Sequence, residues 1–254
     1  MEKLFTQLQD MGAPRDGVVI VHSSLKKIGY EANALLDGLI TYFDQGILCI
    51  PTHTWDFADP MLDLLNPRSC IGTLPTIAAK DPRGTCSMHP THSMAVFGHR
   101  ERVQAFVAGE TSVQTMTGPD GCYGNLYRMG GKILLAGVGL ESNTYMHCVE
   151  EMLNVPNRIS SKADTVHIRH LDGHLERKTI YPFYAEGIED VSWYFPNYEP
   201  AFRKHGVIKD GSLGNAHAML CDAVGIKEVM EKIFINSGGR ELLKDATPID
   251  PAYY

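Results

Sequence analysis

No stretch of this 254-residue chain approaches the roughly 20 apolar residues that a bilayer-spanning helix needs. Its start, Met1-Glu2-Lys3-Leu4-Phe5, is not a charged segment leading into an apolar one, so a cytoplasmic protein with no membrane partner is expected. Basic excess is missing too. Asp and Glu number 30 against 23 Lys and Arg, a net charge of −7, which argues against a general nucleic-acid binder and suits a cationic small molecule. The six cysteines, at 49, 70, 86, 122, 148 and 221, contain no C-x-x-C pair. Neither a zinc ribbon nor a disulfide framework is therefore expected, and the thiols read as free. The glycine spacing of a P-loop, internal repeats, low-complexity tracts and a linker between domains are also absent. What is there is a chain 44% hydrophobic, enough for a sizeable core, which reads as one domain over residues 1–254.

Residues 3–11 predict a short helix closed by Gly12, with Pro14 beyond it. The run Gly17-Val18-Val19-Ile20-Val21-His22 reads as a buried strand, 34–43 as a helix and 46–51 as a second strand, the order of a right-handed parallel crossover. Residues 52–74, rich in Asp, Pro and Asn, are long for a loop and read as a functional segment over a site. Helices are expected over 76–80 and 100–108, and strands over 93–97 and 133–138. Asp172-Gly173 between the runs 165–170 and 174–180 marks an antiparallel hairpin, which would make the sheet mixed. Met219, Ala223, Ile226, Met230 and Ile233 recur at helical spacing and predict a terminal helix despite Gly225. The fold class expected is α/β, a mixed central β-sheet flanked by helices.

His147 and Glu150 stand three residues apart just after the apolar run 133–138. On a helix they share a face, so Glu150 can accept a proton from one ring nitrogen while the other faces a cleft. A neutral imidazole held that way is poised to take a proton near neutral pH. Thr144, one turn earlier, would add a hydroxyl to that face. A solvated helix face carrying an ordinary His and Glu is the alternative. Cys148 lies beside His147 in sequence, and adjacent helix positions diverge, which disfavours a cysteine nucleophile.

Two further segments carry chemistry. Ser23-Ser24-Leu25-Lys26-Lys27 follows the first strand, and its hydroxyls, amides and lysines can bind phosphate oxygens or form a solvated turn. Ser87-Met88-His89-Pro90-Thr91-His92-Ser93 is compact and polar. His53, Asp56, His89 and His147 have zinc-ligand chemistry, which keeps a metal-dependent hydrolase open, although no spacing matches a zinc signature. Asp56, Asp59 and Asp63 in the long loop can bind ammonium groups or simply solvate the loop.

In this order, Val21-His22-Ser23-Ser24-Leu25 with Gly29, Ser87-Met88-His89-Pro90-Thr91-His92-Ser93 with Gly98, and Leu134-Leu135-Ala136-Gly137-Val138-Gly139 followed by Asn143-Thr144 and His147-x-x-Glu150 resemble the aminoglycoside 3-N-acetyltransferase family. A weaker match runs from Phe202 through Gly206 and Gly214-Asn215-Ala216. The resemblance implies acetyl transfer from acetyl-CoA to an aminoglycoside amine, directly in a ternary complex and without a metal. A nucleotide-linked amino sugar or another biosynthetic amine is the alternative acceptor. It further implies His147 as base, Glu150 as its partner, and Thr144 at the reaction centre polarising the thioester carbonyl. Ser23, Ser24, Leu25 and Lys26 would receive CoA, with Ser87 and His89 supporting the same cleft. A homodimer is compatible with this reading. Two departures bear on specificity: Cys86 stands where the family often has Arg, and Gly121-Cys122-Tyr123-Gly124-Asn125-Leu126 replaces an expected Ser-Pro stretch.

Overall fold

The computed structural model describes residues 1–254. Its strands are β1 (Val18–Ser23), β2 (Ile47–Pro51), β3 (Met61–Asp63), β4 (Thr85–Cys86), β5 (Met94–Gly98), β6 (Lys132–Ala136), β7 (Asp164–Arg169), β8 (Leu175–Ile180), β9 (Ile208–Leu213) and β10 (Ala216–Asp222). The α-helices are α1 (Glu2–Asp10), α2 (Leu25–Ile28), α3 (Ala32–Tyr42), α4 (Thr73–Lys80), α5 (Arg100–Val107), α6 (Cys122–Arg128), α7 (Tyr145–Met152), α8 (Glu199–Lys204) and α9 (Ala223–Asn236).

Seven strands form one sheet in the order β4-β5-β2-β1-β6-β10-β9. Its centre, β2-β1-β6, is parallel, and an antiparallel strand is added on each side, β5 beside β2 and β10 beside β6. Apart from Lys132 at the start of β6 and His22 and Ser23 at the end of β1, the central strands are apolar because both faces are covered. Val18, Ile20, Ile133 and Leu135 face one core with α5 to α9. Val19, Val21, Leu134 and Ala136 face the other with α1 to α4. Ile20 and Leu135 are fully buried, and such a side chain contributes roughly 1.5–3 kcal/mol by leaving water. Leu135→Ala would therefore open a cavity in the larger core.

Three expectations change. The mixed character of the main sheet comes from β5 and β10, whereas the Asp172-Gly173 hairpin, β7 with β8, belongs to a separate sheet in the order β3-β7-β8. The long 52–74 segment is not all loop, since β3 within it pairs parallel with β7. Met219 is not helical: it lies in β10 opposite Leu135, and α9 starts at Ala223 after the Asp222 side chain caps Val224 N–H. Met219 still reaches the core that Ile226, Met230 and Ile233 enter, so its coincidence with the helical period came from sharing a core with α9. Gly214 permits the two-residue turn between β9 and β10, at φ +60°, and a Cβ there would lie 2.2 Å from the Ile28 carbonyl oxygen. No helix is long and apolar enough to cross a membrane.

Candidate active site

The carboxyl ends of β1, β2 and β6 fall on one edge of the parallel centre, where open α/β sheets leave a crevice. A cavity of about 430 Å³ opens there. His22 and Ser23 of β1, His53 after β2 and Val138 after β6 line it. Thr144 and His147 come from α7, and 183–185 and 188–192 complete the wall. His22 faces the α7 side because it continues the alternation Val18, Ile20, His22 along β1.

On α7 the expected pair meets. His147 Nδ1 lies 3.3 Å from Glu150 Oε2, with the His side chain 13% exposed and the Glu side chain 2%. An ionised carboxylate only accepts, so the proton sits on Nδ1 and the Nε2 lone pair is left over. Nε2 makes no hydrogen bond within the protein. The ring is clamped by aromatics: Phe183 stacks on it at 4.1 Å between centroids, and Phe195 meets it edge-on at 4.7 Å. Glu150 is held in turn by Arg158, whose Nε donates to Oε1 at 2.5 Å. Burial opposes the Arg158 charge, but Glu150 and Glu241 outweigh it and raise its pKa above the ordinary value. Thr144 caps α7 without spending its hydroxyl on a backbone N–H. Tyr145, Met146, Cys148 and Val149 point into the core, and burial pushes the Cys148 thiol well up, which removes it as a nucleophile.

The remaining buried histidines are neutral. Burial lowers His22 to about 4, and burial followed by neighbouring imidazoles lowers His53 and His92 well below the usual value. His53 Nε2 lies 3.1 Å from the Tyr123 hydroxyl, and the His53 and His92 rings are 4.4 Å apart. His22 Nε2 is buried without any partner.

The other expected residues spread out. Ser23 lines the cavity, whereas Ser24, Leu25 and Lys26 do not, and Lys26 is exposed on α2. Ser87 and His89 are sealed behind the wall. The Ser87 hydroxyl accepts from Met94 N–H, and His89 Nδ1 accepts from Thr91 and His92 N–H while Nε2 donates to the Thr115 carbonyl at 2.8 Å. Of that segment it is His92 that reaches the cavity. Asp56 and Asp59 are exposed on the loop and do not line the cavity, although their neighbour Trp55 does. Asp63 is spent on Arg169 and on the amides of Leu65 and Asn66. The cavity carries Glu141, Glu189 and Asp190 instead. His53, Asp56, His89 and His147 do not converge, and no three His, Cys, Asp or Glu side chains are arranged to hold a metal ion. Strand alternation could have singled out His22. Nothing local announces Phe183 or Arg158, which reach the site by tertiary contact.

Against known proteins, the chain is 22% identical over 96% of its length to the SPbeta prophage-derived aminoglycoside N(3')-acetyltransferase-like protein YokD of Bacillus subtilis (strain 168), 95% of which is covered. It is 27% identical over 65% of its length to aminoglycoside N(3)-acetyltransferase VII of Streptomyces paromomycinus, covering 58% of that protein. Its fold matches that of AAC-IIIb bound to CoASH with a TM-score of 0.79 at 20% identity, covering 95% of this chain and 97% of that one. It also matches aminoglycoside acetyltransferase AAC(3)-IVa in complex with a gentamicin, with a TM-score of 0.77 at 21% identity, covering 96% and 95%. The family model for aminoglycoside 3-N-acetyltransferases spans residues 20–235, across the sheet, α7 and all but the last residue of α9, so the chain belongs to the aminoglycoside 3-N-acetyltransferase family and is an acyltransferase.

Proposed function

We propose that this enzyme acetylates an amine of an aminoglycoside at the 3-N position, using acetyl-CoA and His147 as the general base. The observation that carries the reading is the His147 ring, fixed by Glu150 on Nδ1 and by Phe183 on its face, with an uncommitted Nε2 at a cavity. An aminoglycoside amine is largely protonated near neutral pH and must lose a proton to attack, a task for a positioned imidazole. Glu141, Glu189 and Asp190 line the same cavity against one guanidinium, Arg158, which is already paired with two carboxylates. That balance favours a polycation. Glu189 is exposed and has no side-chain partner, so it is the carboxylate most free to take an ammonium group.

The cavity fits the acyl donor as well. The orphaned His22 Nε2, Ser23 and the Thr144 hydroxyl, which caps no N–H of α7 and neighbours the Tyr123 hydroxyl, supply polar atoms for an amide-bearing arm and a thioester carbonyl. Acetyl-CoA supplies an activated acetyl group, and the acceptor nitrogen replaces the thiol sulfur on it. His147 Nε2 takes the proton that the nitrogen sheds, and Glu150 stabilises the imidazolium so formed. Thr144 would donate to the oxygen on which charge develops. Ser24, Leu25 and Lys26, next along from Ser23, would meet the outer part of CoA, with Ser87 and His89 supporting the wall from behind.

The test is thiol release from acetyl-CoA with a panel of aminoglycosides and amino-sugar nucleotides. Aminoglycosides should be turned over, and the acetylated nitrogen should be N-3 by NMR. Turnover confined to amino-sugar nucleotides would replace the acceptor, and the absence of transfer to any amine would overturn the reading.

A further inference from the structure

The charged chain behind His147 does not stop at Glu150. Arg158 pairs through Nε with Glu150 and through Nη1 with Glu241. Arg158 is 5% exposed, so these two carboxylates, rather than water, balance its charge. Asn157, in the left-handed region at φ +59°, forms the turn that aims Arg158 inward, and its Nδ2 donates to Glu241 Oε2 at 3.3 Å. Glu241 lies past residue 235, where the family match ends. It sits on a tail pinned by other contacts: Asn197 Nδ2 donates to the carbonyls of Asp245 and Thr247, Lys204 Nζ donates to that of Tyr254, and Leu243 and Ile249 join the larger core.

We propose that Glu241 is a positioning residue for the acetyl-transfer site, acting through Arg158 to keep the Glu150 carboxylate turned towards His147. The proposal rests on His147 being the base. The guanidinium is a fork that can take both oxygens of one carboxylate. With Glu241 present, Nη1 is occupied, Nε takes only Oε1 of Glu150, and Oε2 is left for His147. Without it, Nη1 keeps only the Pro156 and Asn157 carbonyls, the guanidinium loses its charged anchor on that side, and it can turn Nη2, which has no partner, onto Oε2 to compete with the imidazole. The charge changes in the same sense. Glu150, Arg158 and Glu241 sum to −1, and removing Glu241 leaves zero beside His147. The other titratable groups around the ring are Glu151 on the same helix and His53 and His92 from the ends of the sheet, with Tyr198 near Glu150 and Arg158. Glu141, Glu189 and Asp190 share the cavity with it. None of these replaces Glu241 as the second partner of Arg158.

The experiment uses the full chain as wild type, Glu241→Gln and Glu241→Asp. The His147 ring is titrated by NMR with nitrogen-15-labelled histidine, and kcat, KM and thermal melts are recorded alongside. In Glu241→Gln the His147 titration midpoint should move to lower pH by roughly half a unit, with kcat down about threefold and both KM values within about twofold. Glu241→Asp should restore most of both. A Gln variant with an unmoved midpoint overturns the proposal, whether its melting temperature is unchanged or lowered, and a lowered one would mark Glu241 as a clasp for the tail. A shifted midpoint in a protein that acetylates no amine would uphold the relay and remove the function proposed above.

Discussion

The segments 87–93 and 144–150 both bring histidine and hydroxyl side chains to one end of the sheet, yet they differ in what those side chains have left to offer. In the first, both nitrogens of His89 and the hydroxyl of Ser87 are consumed by backbone groups. In the second, the Thr144 hydroxyl is not spent on a cap, and His147 spends one nitrogen on Glu150 and keeps the other. A polar atom with a full set of protein partners stabilises the fold, and one left unspent at a cavity is available to a ligand. The two segments are also joined. His89 donates to the Thr115 carbonyl, and the Thr115 hydroxyl donates to Glu151 of α7 at 2.6 Å, so the buried His89 braces the helix that carries His147.

Single substitutions can break this contrast. His147→Ala should lower kcat by at least ~100-fold, the scale of a lost general base, with little change in melting temperature. Full turnover in thiol-release assays would erase the distinction between the segments. His89→Ala should do the reverse. Stranding two buried amides and a carbonyl costs about 2–3 kcal/mol in urea unfolding, while the folded fraction keeps near-normal KM values. A selective rise in the KM for acetyl-CoA, without loss of stability, would instead make His89 a ligand contact.

Acid should act on the neutral histidines around the cavity. Burial holds His22 at about 4 against an ordinary 6.5. Between those values the unfolded chain binds a proton that the folded one refuses, so stability is complete above pH 6.5 and is lost as pH falls towards 4. By pH 5 His22 alone accounts for roughly 2 kcal/mol. His53, His89 and His92 act in the same direction. Urea midpoints measured from pH 7 to 5 should fall in wild type and fall less in His22→Asn. Parallel slopes would mean that His22 is solvated. Glu150→Gln should lower turnover less than His147→Ala does, about tenfold, with an altered pH profile. An unchanged profile would show that the imidazole does not depend on Glu150.

Much of the fold is readable locally. The order of β1, α3 and β2 follows from apolar runs and the helical period, and a spacing of three brings His147 and Glu150 together because one helical turn is 3.6 residues. Elsewhere a local rule meets a long-range one and loses. Met219 fits the period of α9 but lies in β10, because a strand and a helix that share a core can continue one another's spacing. The hairpin at Asp172-Gly173 is visible as a hairpin, but nothing in it says which sheet it joins. The Gly214-Asn215 turn is present in the sequence too, yet β9 has no clear apolar run to flag it as a hairpin.

The acidic loop shows the same limit. Asp56 and Asp59 have the right charge, whereas the carboxylates lining the cavity, Glu141, Glu189 and Asp190, come from two segments nearly fifty residues apart. The sequence by itself determined the central strands, the face of α7 that carries the pair and the acidic character of the chain, because periodicity and charge act within a few residues. Only the tertiary structure decided which polar atoms remain unspent and that Phe183, Arg158 and Glu241 gather behind His147. Burial and ion pairing depend on what the rest of the chain packs against each group, and no local pattern records that.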